Sequence, residues 1–465
     1  MEKIKVHPVL CPVLDADFLP AVLWNQKYLA LAKNIGEPQD TGIALERPNG
    51  NRSVLKTKII AQEKGLEKIT LKYIERLLKC LLWMKGGNKI TIAAPENFVK
   101  EIRKIYSRCG RRAFDSKIIG EKIYGRPLKF YSCSFNELPT EKESGILLGK
   151  NLNGCRIGFD LGGSDRKCAA LIDGKVIFSE EIKWEPYFQK NPSYHKNGIN
   201  DLLKRAASKL PKVDAIGGSA AGVYVDNTIR VSSLFRGISE GDFKKYVKNM
   251  FLDIKKEWGN IPFVVVNDGE VTALAGAMEI KDNAVLGISM GTSMAAGYVT
   301  PEGSITDWLN ELAFVPIDYR DLAPVDEWSK DIGCGVQYFS QQAVARLAKK
   351  AKISFNKKLT PAERLVEIQK LIKKEDERAL KIYESIGVYL GYGIAHYACF
   401  YDFKNFLVLG RVTSGEGGDI ILANAKKVLK TEFPELFNKI KFKMPDEKNK
   451  RHGQAIAAAS LPKIS

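Results

Sequence analysis

No stretch of about 18 consecutive apolar residues occurs in this sequence, so no membrane-spanning segment and no membrane partner are expected. Met1-Glu2-Lys3-Ile4-Lys5 has no apolar signal core, and a cytoplasmic protein is expected. Cysteine is scarce, eight in 465 residues, and scattered without a C-x-x-C pair. That suits reduced, mostly buried thiols better than a disulfide framework. Histidine is scarcer still, at four; His195 and His396 lie in aromatic surroundings and read as structural groups rather than catalysts. Residues 1–150 contain no Lys/Arg block, no zinc finger and no basic recognition helix after a Gly-containing turn. Nucleic acid is therefore not expected as a partner.

What the chain does have is a 45% hydrophobic composition, ample for packed cores, and a length that suggests about two to four domains. The formal net charge is +18, with 27 Lys and Arg against 16 Asp and Glu in residues 1–150 alone. Such an excess attracts phosphorylated ligands, but its even spread reads as a Lys-rich solvated surface.

The chain is organised around Arg156-Ile157-Gly158-Phe159-Asp160-Leu161-Gly162-Gly163-Ser164-Asp165-Arg166-Lys167. This reads as a buried strand, a carboxylate at the strand end and a tight Gly-Gly turn. Glycines let backbone amides approach an anion closely, and a neighbouring carboxylate suits Mg²⁺, which keeps several waters. A second strand over 168–172 meets the hairpin signal Asp173-Gly174 and returns over 175–178. Alone, a Gly-Gly turn is an ordinary turn. Three further segments in fixed order give it weight.

Ahead of this stretch, residues 1–35 are expected to be irregular, with Pro8, Pro12 and Pro20, and to pack across another domain. Strands are expected at 41–46 and 53–60 around Pro48-Asn49-Gly50-Asn51, then a helix at 68–84 from its apolar stripe. Next come a strand at 89–94, helices at 97–108 and 114–124 and a strand at 128–132. Pro139-Thr140-Glu141-Lys142-Glu143-Ser144 reads as a linker. Because this order resembles that of the chain beyond Arg156, residues 36–135 are read as a degenerate copy of the same α/β unit. Leu45-Glu46-Arg47-Pro48-Asn49-Gly50 then replaces the Asp-Leu-Gly-Gly turn.

Beyond Arg156, strands and helices alternate, which implies a sheet wrapped by helices. Gly217-Gly218-Ser219-Ala220-Ala221-Gly222 reads as a small-residue loop after a strand. A buried strand over 262–266 ends at Asn267-Asp268-Gly269-Glu270, and an Ala-rich helix opens at Val271. Met290-Gly291-Thr292-Ser293 is a turn between two strands. Helices fill 337–350 and 362–396, and 406–410 is the last clear buried strand. Gly415-Glu416-Gly417-Gly418-Asp419 precedes another helix, and 453–460 reads as a short packing helix.

Four motifs in order resemble the actin-like ATPase fold: Asp-x-Gly-Gly, Asn-Asp before an Ala-rich helix, Gly-x-x-x-Gly-Thr-Ser in a hairpin, and a late Leu-Gly-x-x-x-x-Gly. Asn-Asp-Gly-Glu-Val-Thr-Ala-Leu-Ala-Gly is most similar to the ROK family (repressors, open reading frames and sugar kinases). The resemblance covers about residues 154–465. It implies an α/β, ribonuclease H-like two-lobe fold with an additional N-terminal α/β domain. The implied divisions are 1–150, a first lobe over 151–283 and a second over 284–465, with a hinge near 283.

By this resemblance ATP lies between the lobes and a sugar lies deep in the cleft. Asp160 becomes the Mg²⁺-side carboxylate, Gly162, Gly163 and Ser164 the first phosphate turn, and Gly291, Thr292 and Ser293 the second. Gly410 and Gly415 border the adenosine, and Asp268 is the general base. A sugar hydroxyl is a poor nucleophile, so a positioned carboxylate that accepts its proton fits this chemistry. Considered alone, Asp268 would read as a helix N-cap. Asn267 can hold a neighbouring hydroxyl. Glu311, in Leu309-Asn310-Glu311-Leu312-Ala313-Phe314, resembles the Gly-Glu-x-Gly-His segment that contacts sugar, and Ser219, Ser232, Ser233 and Arg236 fall in sugar-side segments. Two departures stand out. Phe314 replaces the His, and Cys334 is the only cysteine near the expected zinc loop, so no zinc is expected.

The reading is thus an ATP-dependent carbohydrate kinase with a small-molecule sugar substrate. A non-catalytic sugar-sensing regulator of the ROK type is the alternative, and an actin-like or chaperone-type ATPase without a sugar is a third. A homo-oligomeric state stays compatible with all three.

Overall fold

The computed structural model describes residues 4–60, 65–143, 149–356, 358–444 and 447–464, with 447–452 described by backbone alone. The N-terminal unit runs α1 (Ala21–Ile35), β1 (Gln39–Glu46), β2 (Arg52–Ile59), α2 (Glu67–Met84), β3 (Lys89–Ile92), α3 (Glu96–Ile105) and β4 (Lys129–Ser132). Its sheet has the order β2-β1-β3-β4. Helix α1 departs from the expected irregular segment. The prolines end at its N-cap, Pro20, where a missing N–H costs no helical bond. The expected linker is pinned rather than free, because Arg52 and Lys142 exchange backbone hydrogen bonds of 2.6 and 2.9 Å. Its last residue, Ser144, lies outside the described residues.

The first lobe contains β5 (Cys155–Leu161), β6 (Asp165–Ile172), β7 (Lys175–Lys183), α4 (Pro192–Ala207), β8 (Ala215–Ala220), the hairpin β9 (Val223–Val225) and β10 (Thr228–Val231), α5 (Met250–Glu257) and β11 (Phe263–Asn267). Its main sheet has the order β11-β8-β5-β6-β7. Strands β5, β6 and β7 form an antiparallel meander, and β8 and β11 add in parallel to β5. Asp173 (φ 48°) and Gly174 (φ 79°) make the left-handed turn that their pairing signals.

This sheet corrects the expected internal repeat. β8 runs parallel to β5, whereas β3 runs antiparallel to β1. The N-terminal unit has a two-strand hairpin where the lobe has a three-strand meander, so its chain enters the following helix from the opposite end.

The second lobe runs α6 (Asp268–Ile280), β12 (Val285–Met290), β13 (Met294–Val299), α7 (Gln341–Lys350), α8 (Pro361–Ile372), α9 (Glu377–Tyr397), β14 (Asn405–Leu409), α10 (Glu416–Glu432) and β15 (Lys441–Lys443). Its sheet has the order β13-β12-β14-β15, with β12, β14 and β15 parallel. The last helix, α11 (Glu447–Ala459), lies between the lobes: it packs on β5, β6 and β8 of the first and on α6 of the second, where Ala457 and Ala458 share a core with Val271, Leu274 and Leu407. The final helix thus covers the first sheet as well as belonging to the core of the second lobe.

Packing also redraws the N-terminal boundary. Trp24, Tyr28, Leu78 and Trp83 share one continuous apolar core with Leu312, Val315, Phe339 and Ile394 of the second lobe, while the first lobe keeps its own core around Phe159, Phe251 and Phe263. The N-terminal unit is built into the second lobe by burial of both faces. Among the described residues, no helix is long and apolar enough to cross a membrane.

Candidate functional site

The site begins at the carboxyl ends of three parallel strands, where open α/β sheets place ligands. Asp160 on β5 stands in register with Ser219 on β8, and Ala220 pairs with Asn267 at the end of β11. Residues 217–219 are strand, not the expected loop, and their small size has a packing cause. A Cβ on Gly217 would sit 1.7 Å from Ala458 O of α11, and one on Gly218 would strike the Phe159 ring.

Asp160 is buried. Its Oδ1 accepts a 2.5 Å hydrogen bond from Ser219, and Lys167 Nζ stands 3.9 Å from its Oδ2. Burial pushes its pKa up to about 6 against the pull of Ser219 and Lys167, with Asp268 and Asp165 adding to the rise. Ser219, expected on the sugar side, is fully buried and its hydroxyl is taken by this carboxyl.

Asn267, not Asp268, caps α6. Its Oδ1 accepts the Gly269 N–H at 2.7 Å, and its Nδ2 donates to Gly222 O at 2.7 Å. One amide proton and one lone pair remain for a ligand. Asp268 meets the same Gly269 N–H at 3.0 Å and is otherwise uncommitted, and burial raises its pKa. Ser232 donates to Ala221 O at 2.6 Å and caps a turn, and Ser233 opens that turn.

Across the cleft, Glu311 is half-buried and accepts no side-chain hydrogen bond from any described residue. Burial, and then the nearby charge of Asp268, push it up to about 7. Asn310, beside it at φ 50°, donates to Glu270 at 2.5 Å and accepts from Tyr401 at 2.9 Å. Glu270 is buried, its Oε2 has no partner, and burial pushes its pKa up to about 8. Phe314, where the resemblance placed a His, stacks 4.3 Å from Trp83.

The glycine turns flank this acidic group. Gly162, Gly163 and Ser164 join β5 to β6, with Gly162 N–H donating to Asp165 O at 2.9 Å. A Cβ on Gly163 would meet Tyr187 Oη at 2.0 Å, so a side chain there would have to push that ring aside. Gly291, Thr292 and Ser293 join β12 to β13, with Thr292 and Ser293 exposed. Gly410 (φ 102°) ends β14 against Met290, where a Cβ would lie 2.5 Å from the carbonyl oxygen. Gly415 (φ 70°) caps α10 in open space.

The structure thus brings together Asp160, Asp268 and Glu311, joined by Asn267 and flanked by the glycine turns. It leaves Arg236 exposed over the rings of Tyr187 (4.1 Å) and Phe188 (4.9 Å). His195 and His396 are buried, the first against Pro186 O and Leu234 O, the second 3.5 Å from Cys80 Sγ. Cys334 lies buried beside Ser329 and Asp331. Sequence reasoning missed Lys167, Tyr187 and Glu270. Of these, only Glu270 leaves a signal, as an acid inside an apolar helix.

Among the described residues, no cluster of three or more His, Cys, Asp or Glu is arranged to hold a metal ion. Asp160, with Lys167 Nζ 3.9 Å away, and Asp268 are hard oxygen donors that still fit Mg²⁺, which takes one or two carboxylates and water.

The sequence matches no family model and no curated protein. Solved structures do match. A ROK hexokinase from Thermus thermophilus superposes with a TM-score of 0.52 at 14% identity, over 66% of this chain and 97% of that one. A ROK family glucokinase from Streptomyces griseus, in complex with glucose and AMPPNP, gives 0.50 at 20% identity, over 66% and 99%. A ROK family transcriptional regulator, a homologue of the E. coli MLC protein, gives 0.51 at 16% identity, over 67% and 79%. At these identities the likeness is one of fold: the chain has the two-lobe, actin-like ATPase fold of ROK sugar kinases. About a third of its length lies outside the match.

Proposed function

We propose that this chain transfers a phosphoryl group from ATP to a hydroxyl of a sugar or sugar derivative, with Asp268 as general base. The observation that carries this reading is the freedom of Asp268. Its neighbour Asn267 caps the helix, so that among the described residues no other side chain bonds the Asp268 carboxyl, which accepts only a backbone contact from Gly269 and lies within electrostatic reach of both Asp160 and Glu311. Fold neighbours described as hexokinase and glucokinase, one holding glucose and AMPPNP, support it.

Mg-ATP would be held by Asp160 and the two glycine turns, and supplies the phosphoryl group together with a divalent charge that offsets it. Asp268 accepts the proton of the attacking hydroxyl, and its raised pKa makes it a stronger base than an exposed aspartate. Glu311 and the spare groups of Asn267 take neighbouring hydroxyls and fix the acceptor's orientation. Gly162 and Gly291 close their turns with their own N–H groups, and Gly163 and Thr292 at the tips present backbone N–H groups toward phosphate oxygens. Ser219 and Lys167 keep Asp160 in place.

The test is ATP consumption against a panel of sugars, amino sugars and polyols, with Asp268→Ala as control. A hit is expected, lost by roughly 10²–10⁴-fold in the variant while nucleotide binding persists. Turnover retained in Asp268→Ala would overturn the assignment of the base. Sugar binding without turnover would instead make the chain a sensor, like the regulator among its fold neighbours.

A further inference from the structure

The segment that carries Glu311 is held from outside its own lobe. The carbonyls of Trp83 and Met84, at the end of α2, accept the backbone N–H groups of Glu311 and Asn310, each at 3.0 Å. Helix ends carry unpaired carbonyls that need partners, and here the partners are the amides of the acceptor-side segment. Trp83 covers the downstream end of the segment by stacking on Phe314, and its Nε1 donates to Asp115 at 3.1 Å.

The upstream end is fixed by Arg47, which is 3% exposed. Its Nε donates to Asp307 Oδ2 at 3.1 Å, and that oxygen also accepts from Asn49 (2.7 Å) and Asn51 (2.8 Å). The remaining Arg47 donors reach Ser53 Oγ at 2.9 Å, Lys85 O at 3.2 Å and the Glu143 carboxylate. Glu143 in turn accepts from Trp308 Nε1 at 3.2 Å, and Lys85 Nζ lies 3.0 Å from the centre of the Trp308 ring. Residues 307, 308, 310, 311 and 314 are thus each gripped by the N-terminal unit. Within the second lobe, Asn310 bonds Glu270 and Tyr401, Trp308 stacks on Tyr298, and the Phe314 N–H donates to Glu311 O at 3.2 Å, so the long-range ties to Arg47 and α2 supplement local ones.

We propose that the N-terminal unit forms one wall of the acceptor subsite, and that Arg47 is a positioning residue which, through Asp307, holds Glu311 in place. The assignment rests on the reading of Glu311 as an acceptor contact. A charged fork between two carboxylates and a helix-end carbonyl is rigid and directional. Releasing it frees the segment four residues upstream of Glu311 while leaving the phosphate turns untouched.

The test compares wild type with Arg47→Met, Arg47→Lys and Asp307→Asn by two independent readouts. The first is amide hydrogen exchange over 306–314, which needs no catalysis. Exchange at Asn310 and Glu311 is expected to speed up roughly tenfold or more in Arg47→Met and Asp307→Asn, the scale of one lost charge-assisted hydrogen bond. The second is kinetics on the sugar found in the panel. The KM for sugar is expected to rise about tenfold, with the KM for ATP within about twofold and partial rescue by Arg47→Lys. Unchanged exchange over 306–314 would overturn the proposal, as would losses falling equally on both substrates. If Arg47→Met does not fold, Asp307→Asn, whose side chain is 35% exposed, decides alone. If no sugar turns over while exchange changes as expected, the kinase reading fails and the positioning of the segment stands.

Discussion

Ser219 on β8 donates a 2.5 Å hydrogen bond to Oδ1 of Asp160 on the neighbouring strand β5. It is the closest polar partner of that carboxyl, since Lys167 stands 3.9 Å away. A hydroxyl bonded to the charged form favours ionisation. Ser219→Ala is expected to push the pKa of Asp160 above about 6 and to weaken Mg-ATP binding about tenfold, since such a bond contributes roughly 1.5–3 kcal/mol. Calorimetric nucleotide titration with and without Mg²⁺ checks this. An affinity equal to wild type would show that Asp160 does not face the nucleotide.

Glu311 carries the pH dependence of acceptor binding. It accepts a hydroxyl as carboxylate, so sugar affinity is expected to rise with pH through about 7 and to fall on acidification. Glu311→Gln should lose that step and keep the one near 6 from Asp160. The stability effect has the opposite sense. A folded pKa raised from 4.5 means that the folded chain holds the proton more tightly. The contribution of Glu311 is therefore fully present below about 4.5 and lost as pH rises through about 7. Thermal melts between pH 5 and 8 should show the Tm of Glu311→Gln gaining on wild type as pH rises.

Asp331 ties the N-terminal unit to the second lobe. Burial alone would raise its pKa, but Lys79, Arg76 and Arg112, at 2.8, 3.2 and 2.5 Å, hold it well below the usual carboxylate range. Asp331→Ala leaves three buried cations to Asp115 and Glu75, and should cost roughly 3–5 kcal/mol. Because both units share one core, calorimetry is expected to show them melting in a single transition, at a lower temperature in the variant. A separate transition for the N-terminal unit would contradict that coupling.

The legible part of the fold was carried by backbone demands. Asp173-Gly174 announces itself because few residues tolerate its left-handed conformations. The apolar stripe of 68–84 predicted α2 almost to the residue. That pattern did not reveal what covers the helix's other face. Arg76 and Lys79 look solvated in sequence, yet both are buried against Asp331, some 250 residues away. The segment 217–220 was misread as a loop for a related reason. Small residues read as a loop, whereas here they make room for the backbone of a distant helix. Asp268 was legible as a carboxylate at a strand end, but its release from capping depends on the Asn267 rotamer, which sequence does not specify.

The seating of α11 has a consequence for how the chain is made. Gly158 and Gly217 lie against the carbonyls of Ala455 and Ala458, and Arg156 donates to Ala459 O, 303 positions downstream. During synthesis the first sheet emerges long before the strip of alanines that seals it. The nascent chain must carry that open face past the ribosome while the whole second lobe is translated. Such long-range closure slows folding and leaves strand surface exposed to association. The first sheet therefore gains its full cover only when the last residues of the chain have been made.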